Sequence, residues 1–316
     1  MNSTKEMRAV YVETLCQLAE ADERIVLLEA DLMRATGTQG FKKQFPNRTY
    51  NIGVAEANMV GIAAGLSATG KIPFANTFAC FASRRAFDQF FISANYARLN
   101  VKLVGTDPGV TAALNGGTHM AFEDLGLMRT IPKLVVCEPS DPVSLSQLVK
   151  CCADHLGCTY LRMHRKSADT IYDESETFEL GKGKTLQTGQ DVALIAVGAV
   201  MVNEALKAAE ILAAEGISAY VVDMHTIKPI DRDLVIHMAK VCGAVVTCEN
   251  HQIVNGLGSA VAEVLVESLP TPMERVGVKE MFGEVGSVEY LKNRFGLTAE
   301  VICRHAKQVI KRKTEK

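Results

Sequence analysis

Short β-branched runs alternate with longer stretches of helical periodicity, and this alternation constrains the fold more than any other feature. Ile25–Leu28, Val101–Val104, Leu134–Cys137 and Tyr160–Met163 read as strands, and Asn58–Ser67 and Arg85–Tyr96 as helices. Consecutive parallel strands need a crossover between them, so the alternation predicts an α/β fold with a parallel sheet. In Arg85–Tyr96 the helical spacing places Phe87, Phe90, Phe91 and Ala94 on one face. Polar residues follow each strand closely: Asp31, Thr106-Asp107, Glu138 and His164-Arg165. Ligands of open α/β sheets bind beyond the carboxyl ends of strands, so chemistry is expected along that one edge.

A second βα series comes after a polar stretch, Ser167–Gln190, rich in Asp, Glu, Gly and Lys. It reads as strand Val192–Val197, helix Val202–Glu215, strands Ala219–Asp223 and Ala244–Thr247, and helix Ala260–Ser268, with Thr298 as the N-cap of a last helix. The expected organisation is a first domain over residues 1–170, a linker over 171–188 and a smaller α/β domain over 189–316. With 316 residues the chain is long enough for two separate cores.

Composition excludes several function classes. A formal net charge of −2 lacks the basic surplus of a nucleic-acid binder. The basic end, Lys311-Arg312-Lys313-Thr314-Glu315-Lys316, reads as a solvated tail. The longest apolar run, Val192–Val202, is too short to span a bilayer, and Met1–Glu6 lacks the apolar core of a leader. Nine scattered cysteines without a CxxC pair indicate neither zinc site nor disulfide frame, which fits a reduced, cytoplasmic compartment.

The segment Asn51-Ile-Gly-Val-Ala-Glu56-Ala-Asn-Met59 runs into the small-residue helix Val60–Leu66. A glutamate opening a helix is ordinarily a surface residue that complements the helix dipole. Here it stands between a turn glycine and a helix of small residues, and the segment resembles the cofactor-activating motif of the transketolase family. The resemblance continues along the chain. It takes in Asn76-Thr-Phe-Ala-Cys-Phe81 with Arg85–Gln89, Gly105–Gly109, Asn115–Asp124, Ile131-Pro132 and Glu138–Asp141. Thr226–Asp231, Glu249-Asn-His251 and Gly256-Leu-Gly258 complete it. Each string alone is weak, but their order and spacing together are specific.

The resemblance implies a pyrimidine-binding domain followed by a transketolase C-terminal domain, with thiamine diphosphate as cofactor. Glu56 would hydrogen-bond the aminopyrimidine ring and drive the tautomer that lets the cofactor lose its own thiazolium proton. Phe78 and Phe81 would wall the ring, and Asp31 would face the thiazolium. His119 would meet a sugar hydroxyl, with Asn115 and Asp107 in the same substrate loop, and Arg165 would hold a sugar phosphate. On residue chemistry alone the bland readings stay open: core aromatics for the phenylalanines, a turn residue for Asp31, a structural ring for His119 and a surface cation for Arg165.

The family's Gly-Asp-Gly…Asn motif, which holds Mg2+ and the diphosphate, is not in this sequence. The expectation is therefore the C-terminal subunit of a split transketolase, active in ketol transfer only with a separately encoded N-terminal subunit, as an α2β2 assembly. Three departures bear on substrate. Asn115 replaces an acidic residue, Asp107 replaces a histidine, and Ala35 stands where familiar members have a serine. Asp107 is expected to repel phosphate, which puts the usual pentose-phosphate acceptors in doubt. The competing readings are the β-subunit of a 2-oxoacid dehydrogenase, a deoxyxylulose-phosphate-synthase relative, and a non-catalytic assembly subunit.

Overall fold

The predicted strands form two parallel-dominated sheets in a computed structural model that describes residues 2–314. In chain order the strands are β1 (Asn2–Glu6), β2 (Ile25–Glu29), β3 (Thr49–Asn51), β4 (Ile72–Phe78), β5 (Lys102–Thr106), β6 (Val135–Cys137) and β7 (Thr159–Met163). They continue with β8 (Ser167–Asp169), β9 (Lys184–Gln187), β10 (Val192–Ala196), β11 (Ala219–Asp223), β12 (Thr226–Lys228), β13 (Val245–Gln252) and β14 (Met273–Val278). The first sheet has the order β12-β6-β7-β5-β4-β2-β3 and the second β14-β13-β10-β11-β9. All pairings are parallel in the first sheet except β12 with β6, and in the second except β9 with β11.

Helices cover both faces of these sheets, so β2, β5 and β7 are buried along their whole length. That double burial explains why they read as continuous apolar runs rather than alternating ones. It also explains why β4 went unassigned. Pro73, Asn76 and Thr77 interrupt its apolar pattern, yet every residue from Ile72 to Phe78 is buried. Asn76 is satisfied inside the core: it accepts from the Tyr11 hydroxyl at 2.6 Å and donates to the carbonyls of Leu28 and Phe74.

Three expectations change. The stretch Arg85–Tyr96 is not one α-helix. A helix over Ala79–Arg84 ends first, Ala86 leaves helical geometry (φ −108°, ψ 7°), and Phe90–Tyr96 winds as a wider π-turn. Within it the Asn95 side-chain amide donates to the Phe90 carbonyl, five residues back, at 2.7 Å. Phe90 and Ala94 still face the core, with Phe87 and Phe91 half-buried against it. The polar stretch read as a linker carries two strands, β8 against the N-terminal β1 and β9 on the edge of the second sheet. The basic end is helical through the helix Ala299–Thr314. Arg312 donates to the Met273 carbonyl and Lys313 to that of Cys242, so these are docked side chains. The last two residues lie outside the described ones.

The seam between the two sheets is polar and buried. Arg162, on β7 and fully buried, donates from Nε to Asp124 (2.7 Å) and from Nη1 to Glu138 (2.8 Å). Its Nη2 donates to Asp124 (3.1 Å), to the Ala121 carbonyl (3.3 Å) and to the Asn250 carbonyl of β13 (2.9 Å). The Tyr160 hydroxyl adds a bond to Asp124 at 2.8 Å. Nearby, Ser140 and Tyr172 both donate to Asp223, and Asp141 caps the helix Pro142–Asp154 while accepting from the backbone of Ile171 and Tyr172. β12 completes the seam: a strand from the second half of the chain joins the first sheet, and Lys228 donates to the carbonyls of Arg129 and Ile131.

Removing one partner of a buried ion network strands the others in low dielectric, at a cost of about 3–5 kcal/mol. Arg162→Met is therefore expected to lower unfolding free energy by about that amount, measured by urea denaturation. A loss under about 1 kcal/mol would mean that Asp124 and Glu138 find other partners.

Candidate active site

The carboxyl ends of β2, β4, β5 and β7 lie on one edge, and the side chains there separate into two groups. The first surrounds a cavity of about 380 Å³ lined by Ala30, Leu32, Val54, Glu56, Phe78, Phe81, Arg85, Thr118 and His119. Glu56 is the first residue of the helix Glu56–Ala68, after a turn in which Gly53 takes φ +84°. It stands at the N-terminal end of that helix and is only 4% exposed. Its observed partner is Arg85, whose Nη1 stands 3.3 and 3.4 Å from the two carboxylate oxygens, a long contact that leaves room for a better donor.

Phe78 ends β4, and Phe81 follows one turn later on the helix Ala79–Arg84. Their ring centroids are 6.0 Å apart, and the His119 ring meets both edge-on, at 6.0 Å from Phe78 and 5.3 Å from Phe81. His119 is oriented by its neighbour, with Nδ1 2.9 Å from the Thr118 hydroxyl. Its loop is pinned from two sides. Arg84 donates to the Thr118 carbonyl at 2.9 Å, and Gly117 packs so closely on Gly283 that a Cβ would come within 2.1 Å of the Gly283 carbonyl oxygen. The cavity is thus a flat apolar and aromatic slot with a carboxylate at its margin.

Arg85 is the lining residue that sequence reasoning passed over as part of a string. The signal was present: Phe81 and Arg85 are four apart, and the guanidinium stacks 3.9 Å over the Phe81 ring.

The second group sits beside this slot. The Arg165 guanidinium lies over the Phe78 ring, 5.5 Å from its centroid, and its Nε lies 2.8 Å from Asp107 Oδ2. The two are close by distance, but the N–H does not point at the oxygen, so neither Asp107 oxygen has an aligned donor. Asp107 is not open to the entrance as expected. It is 1% exposed, and burial pushes its carboxyl up to about 7 against the pull of Arg165, Lys166 and Arg8. Burial likewise holds His164 down at about 4.

Asn115 is exposed and lines a different hollow, with Arg165 and Lys166, between the two halves of the chain. That hollow is larger, about 600 Å³, but Glu204 within it is already held by Lys207 and Lys292, and no phenylalanine, tyrosine or tryptophan lines it. The smaller slot is therefore the better candidate for chemistry. Asp31 does not line it: this exposed residue takes φ +62° and exchanges hydrogen bonds with Asn51, both at 3.0 Å. Ala35 offers its carbonyl to Arg8 at 3.0 Å.

Among the described residues no three His, Cys, Asp or Glu side chains are grouped to hold a metal ion. No helix among them is long and apolar enough to cross a membrane. The slot combines two phenylalanine rings and an imidazole with a buried carboxylate, a lining suited to a flat ring with a hydrogen-bonding edge.

Comparison with known proteins finds a family match in each half of the chain. Residues 3–170 fit the family model of the transketolase pyrimidine-binding domain, and residues 181–302 that of the transketolase C-terminal domain. The chain is 51% identical over 307 residues to the 6-deoxy-6-sulfo-D-fructose transketolase subunit of Clostridium sp. (strain MSTE9), covering 97% of this chain and 95% of that one. It is 43% identical over 311 residues to a putative transketolase C-terminal section from Methanocaldococcus jannaschii, with 98% and 97% covered. A solved split-gene transketolase, described as an inactive β4 tetramer, superimposes with a TM-score of 0.91 at 43% identity, covering 97% of this chain and 98% of that one. With both family models matched and full-length relatives that are themselves subunits or sections, the chain belongs to the transketolase family, in its split form.

Proposed function

We propose that this chain is the pyrimidine-side half of a ketol transferase that uses thiamine diphosphate and turns over only when a separately encoded subunit supplies the diphosphate- and Mg2+-binding half. The observation that carries this reading is the buried Glu56 carboxylate at the margin of the Phe78–Phe81–His119 slot. Val54, which also lines the slot, is 72% exposed. A site that must exclude water needs a further surface over such a residue, which supports a partner at this edge. The relative described as an inactive β4 tetramer supports the same dependence.

In this reading Glu56 shares a proton with the ring nitrogen of the aminopyrimidine, while Phe78 and Phe81 hold the ring by stacking and keep water from its face. The chemistry supplied by thiamine diphosphate is a nucleophilic carbon and an electron sink for the two-carbon unit. In the same reading His119, held by Thr118, would meet a sugar hydroxyl, and Arg165, over the Phe78 ring, would meet an anionic tail. The metal in this reading is held mainly by the partner subunit. The first relative's name points to a sulfonated ketose as one donor that the same scaffold serves.

Glu56→Gln in the reconstituted enzyme tests the central residue. Its side chain keeps the volume but loses the exchangeable proton. Turnover is expected to fall by about two to four orders of magnitude, with cofactor binding by calorimetry retained. Near-normal turnover would remove Glu56 from the mechanism.

A further inference from the structure

We propose that the Arg85 guanidinium stands in for the cofactor's aminopyrimidine ring: it covers Phe81 and holds Glu56, and thiamine diphosphate binds by turning it out. This rests on the cofactor reading above. The likeness is one of shape and of donors. A guanidinium is flat, carries its N–H groups in its own plane and stacks on aromatic faces. In Arg85 it does both at once. Its carbon lies 3.9 Å from the Phe81 ring centroid, and Nη1 stands 3.3 and 3.4 Å from the two Glu56 oxygens. An aminopyrimidine stacked in this slot and bonded to the same carboxylate would make those two contacts itself. Arg85 lines the slot with both residues, so it takes up stacking surface and carboxylate edge that such a ring needs.

Arg85 is a movable occupant and not a fixed wall. Its side chain is 51% exposed, against 4% for Glu56. Its bonds to Glu56 are long, and among the described residues Glu56 is the one acceptor that its guanidinium meets. The preceding arginine is held quite differently. Arg84 donates to the Thr118 carbonyl at 2.9 Å and to the Cys80 carbonyl at 3.3 Å, and lies 3.2 Å from Glu123. Turning Arg85 out needs no backbone change: its amide stays bonded to the Phe81 carbonyl at 3.1 Å, at the C-terminal end of the helix Ala79–Arg84.

The stand-in also serves Glu56. A buried carboxylate without a partner is costly, and among the described residues Arg85 is the cation within ion-pair distance of it. Arg85 thus keeps Glu56 partnered until the ring takes over. A pair half open to water and a single cation–π contact are each weak, so displacing them should cost the cofactor about three- to tenfold in affinity.

The test measures thiamine diphosphate binding, with Mg2+, by isothermal calorimetry on this chain assembled with its N-terminal subunit. Arg85→Met keeps the bulk and gives up the donors and the charge. It is expected to bind the cofactor about three- to tenfold more tightly than wild type. Inorganic pyrophosphate, which probes the diphosphate half alone, should bind wild type and variant alike. Arg85→Lys keeps the charge without the flat stack and should fall between the two, and it carries the test if Arg85→Met fails to fold. Cofactor affinity equal to or weaker than wild type in the variant that carries the test overturns the proposal while the cofactor reading stands. So does a gain that pyrophosphate shows equally. No cofactor binding by the wild-type assembly overturns both.

Discussion

A buried guanidinium between two buried carboxylates is an expensive arrangement, and the Arg162–Asp124–Glu138 network is the one on which the rest of this molecule depends. Its energetic justification is geometric. Arg162 places three nitrogens on two carboxylates and two carbonyls, so the desolvated charge is matched on every side. Those acceptors come from the segment just after His119, from the end of β6, and from β13 in the other sheet. Asn250 extends the network: its side chain accepts from the Val110 amide at 3.0 Å and donates to the Pro108 carbonyl at 3.0 Å. A Cβ on Gly109, which takes φ +55°, would come within 2.2 Å of that amide oxygen. The loop from Asp107 to His119 is thereby tied down by a residue about 140 positions away.

This arrangement explains what the second half of the chain contributes. It supplies no residue to the lining of the slot, all of which comes from Ala30 to His119. Its contribution is mechanical. Asn250 fixes the start of the loop and accepts from Arg162 of the first sheet, Gly283 braces Gly117, and β12 extends the first sheet. Glu249 accepts from the Leu257 and Gly258 amides and so anchors the helix Leu257–Ser268 to the same seam. The slot thus sits on the first half, with the geometry of its loop set by the second.

The alternation of strands and helices was legible because burial on both faces leaves continuous apolar runs, and so was the polar edge beyond β2, β5 and β7. Glu56, Phe78, Phe81 and His119 could be singled out from the resemblance, and they do line one cavity. What they do there is the reading proposed above. Less legible were the strings Glu138–Asp141 and Glu249–His251. Both stood out in the sequence, yet the structure spends them on the seam, through partners such as Arg162, Asp223 and Asn250's loop contacts that lie far away in sequence. No periodicity encodes such pairs. Asp107 shows the same limit: its residue type suggested an exposed repulsive charge, but its burial and its distance from Arg165 depend on the fold of β5 and β7. Asp31 fits its ordinary reading, a turn residue held by Asn51.

The central claim is that half of an active site lies on this chain. Isothermal calorimetry with thiamine diphosphate and Mg2+ tests it most directly, with this chain alone, the N-terminal subunit alone and the two mixed. The account expects tight cofactor binding and ketol transfer only in the mixture, because the carboxylate and aromatic slot hold the ring and the partner holds the diphosphate. Tight, Mg2+-dependent binding with ketol transfer by this chain alone would contradict it.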